Sequence, residues 1–171
     1  MASQIDYRYS SKFPAAVVYA ALVDPEYLKA RLAELGGREA SVVEHHADAA
    51  GATFRLRHEL DVDGMPSIVR SMLSGNLVVE RAEHWTTQPD GSHSGTVDVA
   101  ITGSPVPAGA KGELGLTDLA DGGSEFRVRA DVSVGVPLFG GRIEEYVAGQ
   151  IHTLLDLESQ FTTRWLEQHT H

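Results

Sequence analysis

The sequence predicts an α+β fold: a curved antiparallel sheet of about seven strands around one long C-terminal helix, with two short helices after the first strand. Three observations carry this prediction. First, from Pro137 the chain runs to its end without another proline, and Ile143, Val147, Ile151, Leu154, Phe161 and Trp165 recur at helical spacing. A helical wheel adds Tyr146, Leu155, Leu157 and Leu166 to that side, so the apolar arc covers roughly half the circumference, wider than a surface helix needs. A helix over 142–168 would be roughly 40 Å long, and so wide an arc implies a concave partner. Second, from residue 38 to residue 134 the apolar period changes to two, in stretches separated by turn residues. Third, Pro14 and Asp24-Pro25 each open a short apolar stretch between the first strand and that run.

The elements follow in order. Ile5, Tyr7 and Tyr9 alternate with polar residues as a strand with one buried face. Residues 15–22 suit a first short helix after Pro14. Asp24 is the expected N-cap of a second, with Pro25 as its first residue, Leu28, Leu32 and Leu35 on one side, and Gly36 as a left-handed cap. Residues 39–48 make a weak strand whose alternation fails after Val43. Residues 53–62 make the clearest one: Phe54, Leu56, His58, Leu60 and Val62 share a face, and Arg55, Arg57, Glu59 and Asp61 take the other. Asp63-Gly64-Met65-Pro66 breaks it, and residues 67–74 read as a short helical or looped segment. Residues 76–88 form a long strand with neither face clean, so a bulge is a possible register shift there. Pro89-Asp90-Gly91-Ser92 turns the chain, with Gly91 supplying positive φ. Val97, Val99 and Ile101 mark the next strand, Leu114 and Leu116 another, and Asp121-Gly122-Gly123 a hairpin turn. Phe126, Val128, Ala130, Val132 and Val134 point inward from the last strand.

Consecutive strands with short turns make a meander with one wet and one covered face. Only the C-terminal helix is long and apolar enough to cover it. A curled sheet around one helix leaves a gap, and such gaps are common ligand sites.

Composition narrows the possibilities. The 171 residues suit one domain, residues 1–171, with a substantial core. There is no cysteine, which excludes disulfides and thiolate chemistry and fits a reducing compartment, so a cytoplasmic location is expected. Residues 1–6 carry no basic n-region and no apolar h-region, so no signal peptide is expected, and no apolar run approaches the ~20 residues of a membrane span. A net charge of −10 makes nucleic acid and anionic membranes poor partners. No metal site or cofactor is expected. His45 and His46 point to opposite faces of a strand, and no HExxH or calcium-loop pattern occurs. Gly109-Ala110-Lys111-Gly112 lacks the phosphate-loop pattern, and Gly91-Ser92-His93-Ser94-Gly95 has histidine where a nucleophile elbow needs serine.

The order of elements resembles the START-like (SRPBCC) superfamily, with the helix-grip fold of pollen-allergen proteins and polyketide cyclases. Local phrases resemble more closely an actinobacterial family of unknown function within it. Those phrases are Phe13-Pro14-Ala15, Asp24-Pro25-Glu26-Tyr27, Arg31-Leu32, Glu83-His84-Trp85 and Val136-Pro137-Leu138-Phe139-Gly140-Gly141. The resemblance spans the chain and implies a hydrophobic cavity for lipids, sterols or polyketides. The superfamily also includes enzymes and protein-binding co-chaperones, and no catalytic residue set carries over.

Three groups of residues are candidates for chemistry. His58 is the polar group on the inward face of the clearest strand: either a partner or acid/base for a ligand head group, or a rim histidine bonded to backbone or water. Glu158 interrupts the apolar stripe of the last helix: either a cavity carboxylate, or half of an internal ion pair with Arg81 or Arg70. Arg81 and Trp85 on the 76–88 strand would anchor an acidic group and form a cavity wall, or else end the strand with solvated charges and a packed indole. The predicted ligand-binding set is Phe54, Leu56, His58, Leu60, Arg81, Trp85, Phe126, Val128, Ile151, Leu154, Leu155 and Glu158, around a hydrophobic small molecule. The leading expectation is a soluble binding or carrier protein. The alternatives are a cyclase, dehydratase or hydrolase using the same cavity, and an interaction module with a filled core and an apolar patch near Val106 or Leu138-Phe139.

Overall fold

A computed structural model of the protein describes residues 3–60, 67–71, 77–102, 107–136 and 140–170, the side chains of residues 60, 68 and 69 excepted. The elements are β1 (Ser3–Ser11), α1 (Ala15–Leu22), α2 (Pro25–Leu35), β2 (Ser41–Ala47), β3 (Gly51–Leu60), α3 (Ser67–Arg70), β4 (Leu77–Thr87), β5 (His93–Thr102), β6 (Ala108–Asp118), β7 (Ser124–Val134) and α4 (Gly140–His169). The strands form one antiparallel sheet in the order β1-β7-β6-β5-β4-β3-β2. This is the predicted α+β helix-grip architecture. Val106, Leu138 and Phe139, and the Leu60 side chain, fall outside the described residues.

Alternation along each strand sets which residues face α4. Register then lines them up across the sheet. One inward row runs Phe54, Glu83, Val97, Gly112, Ala130, Ile5, and the next runs Leu56, Arg81, Val99, Ala110, Val132. Each row is apolar except at β4, which puts one charged side chain into it. β4 pairs without interruption to both neighbours, so the expected bulge is not there. The irregularity lies in β2, between Val42 and Glu44, and leaves Val43 47% exposed. That slip is why the alternation fails after Val43.

The short helices are capped as their sequence demands. Asp24 accepts a hydrogen bond from the Glu26 N–H at 2.9 Å. Pro14 is the N-cap of α1, and the Asp118 carboxylate accepts from the Ala15 N–H at 2.8 Å. At the end of α2 the expected cap shifts by one residue: Gly36 keeps φ −87°, and Gly37 takes the left-handed turn at φ 80°.

In α4, Ile143, Leu155 and Leu166 are buried, and so are Glu144, Glu158, Ser159 and Thr162. Leu157 is 42% exposed, so the apolar arc is narrower than the wheel implies on that side. Gly140 starts the helix where a Cβ would lie 2.9 Å from the Val134 carbonyl oxygen. The Glu144 carboxylate then accepts from the Val134 N–H at 3.0 Å and ties the helix to the end of β7.

Among the described residues the buried core forms a large cluster and a small one. The larger joins α1, α2 and the Trp85 end of the sheet to Leu155 and Leu166. The smaller consists of Leu77, Val134, Val136 and Ile143. Partly buried Val147 packs against both, so the smaller cluster is a satellite of the main core.

Candidate functional site

The site lies where α2, β4 and the C-terminal half of α4 meet. α2 buries Tyr27, Leu28, Arg31 and Leu32, spacing that places them on one helical face. Arg31 is therefore carried inward with the leucines and is 3% exposed. β4 brings Arg81, Glu83 and Trp85 inward at alternate positions. α4 brings Glu158, Ser159 and Thr162.

These side chains form a chain of ion pairs. Arg81 Nη1 donates to both Glu158 oxygens, at 2.9 and 3.1 Å. Arg31 Nε lies 3.4 Å from Glu158 Oε2. Arg81 Nε lies 2.8 Å from Glu83 Oε2, and the Trp85 indole donates to Glu83 Oε1 at 3.0 Å. The Arg31 guanidinium also sits 5.4 Å from the centre of the Tyr27 ring. Burial pushes the Glu158 carboxyl up, but the Arg31 and Arg81 charges and the Arg81 hydrogen bonds outweigh it and hold the group at about 2. Burial likewise works against both guanidinium charges, and the Glu158 carboxylate more than restores them.

Hydroxyl groups line the α4 side. Thr162 donates to the Glu158 carbonyl at 2.8 Å, so the Tyr27 hydroxyl, 2.5 Å away, donates to Thr162. Thr163 donates to the Ser159 carbonyl at 3.1 Å, so the Tyr9 hydroxyl, 2.9 Å away, donates to Thr163. The Tyr7 hydroxyl donates to Ser159 Oγ at 2.9 Å, and burial raises its pKa to about 12.

A narrow cleft opens between these groups and an apolar wall of Val18, Leu22, Trp85 and Phe126. Gly95 faces Trp85 on β5, where a Cβ would stand 2.5 Å from the His84 carbonyl oxygen and 3.3 Å from the indole. Tyr19 meets the same indole edge-on at 6.0 Å. The cleft offers about 30 Å³, room for about two waters.

Of the predicted ligand-binding residues, Arg81, Trp85, Phe126 and Glu158 line this cleft. Phe54, Leu56, Val128 and Leu155 are buried in the larger core, while Ile151 and Leu154 are only partly buried. His58 faces inward on β3, opposite Val79, and its Nε2 is buried without a hydrogen-bond partner. Burial, reinforced by the nearby Arg81 charge, lowers its pKa to about 4 against the pull of Glu158. The ion pair of Glu158 with Arg81 is one of the two readings its sequence position allows. Sequence reasoning misses Arg31 and the hydroxyls of Tyr9, Ser159 and Thr162 as members of the site. The signal for Arg31 is its position: a cation between Leu28 and Leu32, matching an anion on the stripe of α4.

Among the described residues no group of three His, Asp or Glu side chains is placed to hold a metal ion, and no helix is long and apolar enough to cross a membrane.

A curved antiparallel sheet gripping a long C-terminal helix is the helix-grip fold of START-like proteins. The chain belongs to the family described as "Protein of unknown function (DUF2505)", whose model matches residues 6–166. It is 26% identical over 155 residues to the uncharacterized protein Rv0481c of Mycobacterium tuberculosis, spanning 87% of this chain and 88% of that one. Among solved structures it is similar to a START superfamily protein from Mycobacterium smegmatis, with TM-score 0.58 at 13% identity over 98% of this chain and 99% of that one. It is similar also to the protein TTHA0849 from Thermus thermophilus, with TM-score 0.65 at 14% identity over 99% and 100% of the two chains. Likeness at these identities establishes the fold, and activity must be argued from the site.

Proposed function

We propose that this protein binds or carries a hydrophobic or amphipathic small molecule, lipid or polyketide-like, between the sheet and α4. The observation that supports this most is a strip of inward-facing apolar residues that stay only partly buried. Val79, Val99, Ile101, Val147, Ile151 and Leu154 are only partly buried, although four of them, Val99, Ile101, Val147 and Ile151, pack against the core clusters. The first three point inward from β4 and β5, and the others come from α4. Apolar surface left open to water forgoes roughly 25 cal/mol per Å², which an apolar ligand would recover. The START-like fold agrees with this reading, as an analogy of fold.

A catalytic role for the charged residues has less support. Glu158, held at about 2 between two arginines, is a poor general base near neutral pH.

The reading is tested by native mass spectrometry of the purified protein, then organic extraction of whatever it carries, with uptake of a fluorescent fatty acid as a second assay. A stoichiometric apolar molecule or saturable uptake is expected. Val99→Trp, which fills this strip, should abolish uptake while leaving the fold intact. Full uptake by a folded Val99→Trp variant would sink this placement.

A further inference from the structure

The ion-pair chain leaves one strong donor over, and its charge balance says what that donor can accept. We propose that the cleft is the head-group end of the ligand site, and that Arg31 there binds a neutral oxygen acceptor, a ketone, ester or amide carbonyl, in preference to an anion. The proposal rests on the ligand-binding reading above.

Arg31 lines the cleft, is 3% exposed, and has an Nη2 buried without a hydrogen-bond partner. A buried guanidinium N–H left unsatisfied is costly, and an acceptor supplied by a ligand would remove that cost. Four of the neighbouring hydroxyls are already committed as donors. The hydroxyls of Tyr9, Thr162, Thr163 and Ser124 each donate to a protein acceptor. Arg81 is committed to Glu158 and Glu83.

Charge then separates the possible acceptors. Arg31 and Arg81 stand against Glu83 and Glu158, two guanidiniums against two carboxylates, so the cluster is already balanced. A ligand carboxylate would bring a third negative charge into a buried site within reach of Glu158, with no cation left to match it. A carbonyl oxygen takes the same N–H groups without that cost. With room for about two waters, the cleft takes the carbonyl oxygen itself, and the apolar body attached to it would lie along the partly buried strip beyond Arg81.

Three probes of one shape test this: naphthalene, 2-acetylnaphthalene and 2-naphthoate, each titrated into the full chain. The Trp85 indole N–H resonance reads binding, distinguished from that of Trp165, the other tryptophan, with Trp165→Phe. The ketone is expected to bind about ten-fold or more tighter than the carboxylate and tighter than naphthalene. Arg31→Met should remove about ten-fold of ketone affinity and leave naphthalene unchanged, which also shows that the variant is folded. Arg31→Lys keeps a charge beside Glu158 without the Nη2 fork, and should lose the ketone preference too. Carboxylate binding equal to or tighter than ketone binding overturns the proposal, as does an unchanged ketone affinity in folded Arg31→Met or Arg31→Lys. If naphthalene binds and the ketone gains nothing over it, the head-group proposal falls alone. If none of the three binds, the ligand-binding reading falls and takes this proposal with it.

Discussion

Two stretches of α4 face the same sheet and are covered in opposite ways. At the Glu158 end, charged and hydroxyl groups from α2, β1, β4 and α4 meet, and nearly all are satisfied by one another. Toward Ile151 and Val147 the facing residues are apolar and only partly buried. The expensive groups are thus the ones sealed in, while the groups that would gain most from burial are left partly open. A protein selected for stability alone would do the reverse, because a well-packed apolar cluster commonly equals or exceeds a buried ion pair. The difference marks the first region as an anchor, and the second is where the proposed ligand would add the missing cover.

The largest expected effect breaks the anchor. Glu158→Ala removes the carboxylate shared by Arg31 and Arg81 and leaves two buried cations facing each other. A loss of about 3–5 kcal/mol is expected in urea denaturation. Ile151→Val, on the open strip, should cost about 1 kcal/mol or less, since the side chain is partly exposed and the site can adjust. Equal losses in the two variants would erase the distinction between the regions.

Acid should attack the same end. His58 titrates at about 4 in the folded chain against an ordinary 6.5. Between those values the unfolded chain takes up a proton that the native state refuses, so stability is full above about 6.5 and falls as pH drops toward 4, by up to about 1.4 kcal/mol per pH unit. Glu158, lowered from 4.5 to about 2, adds stability that is present above 4.5 and lost below it. His93, whose pKa burial also lowers, works in the same sense as His58. His58→Leu should therefore flatten the stability profile between pH 6.5 and 4.5 relative to the parent and leave the loss below 4.5 in place. A parent-like slope in the upper window would show that His58 is not held neutral.

How far the sequence foretells this division depends on the residue. Alternation and helical period give the sheet, the long helix and the two capped short helices, because those patterns are local. The inward direction of Arg81, Glu83 and Trp85 is open in the sequence: β4 carries apolar residues on both faces near Leu77, and only pairing with β3 and β5 decides the side. Glu158 announces itself as a charge on an apolar stripe. Arg31 gives the complementary signal on α2, but its partner is 127 positions away, and nothing local links them. The Val43 slip shows the same limit: the sequence records that alternation fails, and the pairing supplies the reason. Leu157 shows the converse, an apolar residue on the wheel that no layer covers.

A smaller effect sharpens the anchor. Tyr27→Phe deletes the hydroxyl that donates to Thr162, and Thr162 keeps its own bond to the Glu158 carbonyl. The expected loss is about 0.5–1.5 kcal/mol, the net value of one buried hydrogen bond, because both partners lie in the closed region. A loss near that of Glu158→Ala would mean that the hydroxyls, and not the ion pairs, hold α2 against α4.

The smallest effect comes from a pair that joins the same two helices. Arg164 Nη2 lies 2.7 Å from Glu34 Oε2, closer than Arg31 Nε is to Glu158 at 3.4 Å. Distance alone would rank the Arg164 pair first. Solvent reverses the order: its side chains are 57% and 46% exposed, against 4% and 6% for Arg31 and Glu158. Water and salt already satisfy both exposed groups, so Arg164→Ala should cost roughly 0–1 kcal/mol, and that little should vanish in about 1 M salt. The buried pair loses its alternative partners on folding, so removing Glu158 should remain costly in the same salt. Urea denaturation of Arg164→Ala and Glu158→Ala at low and high salt separates the two cases. A similar loss for both would place the grip between α2 and α4 at the surface, outside the cleft.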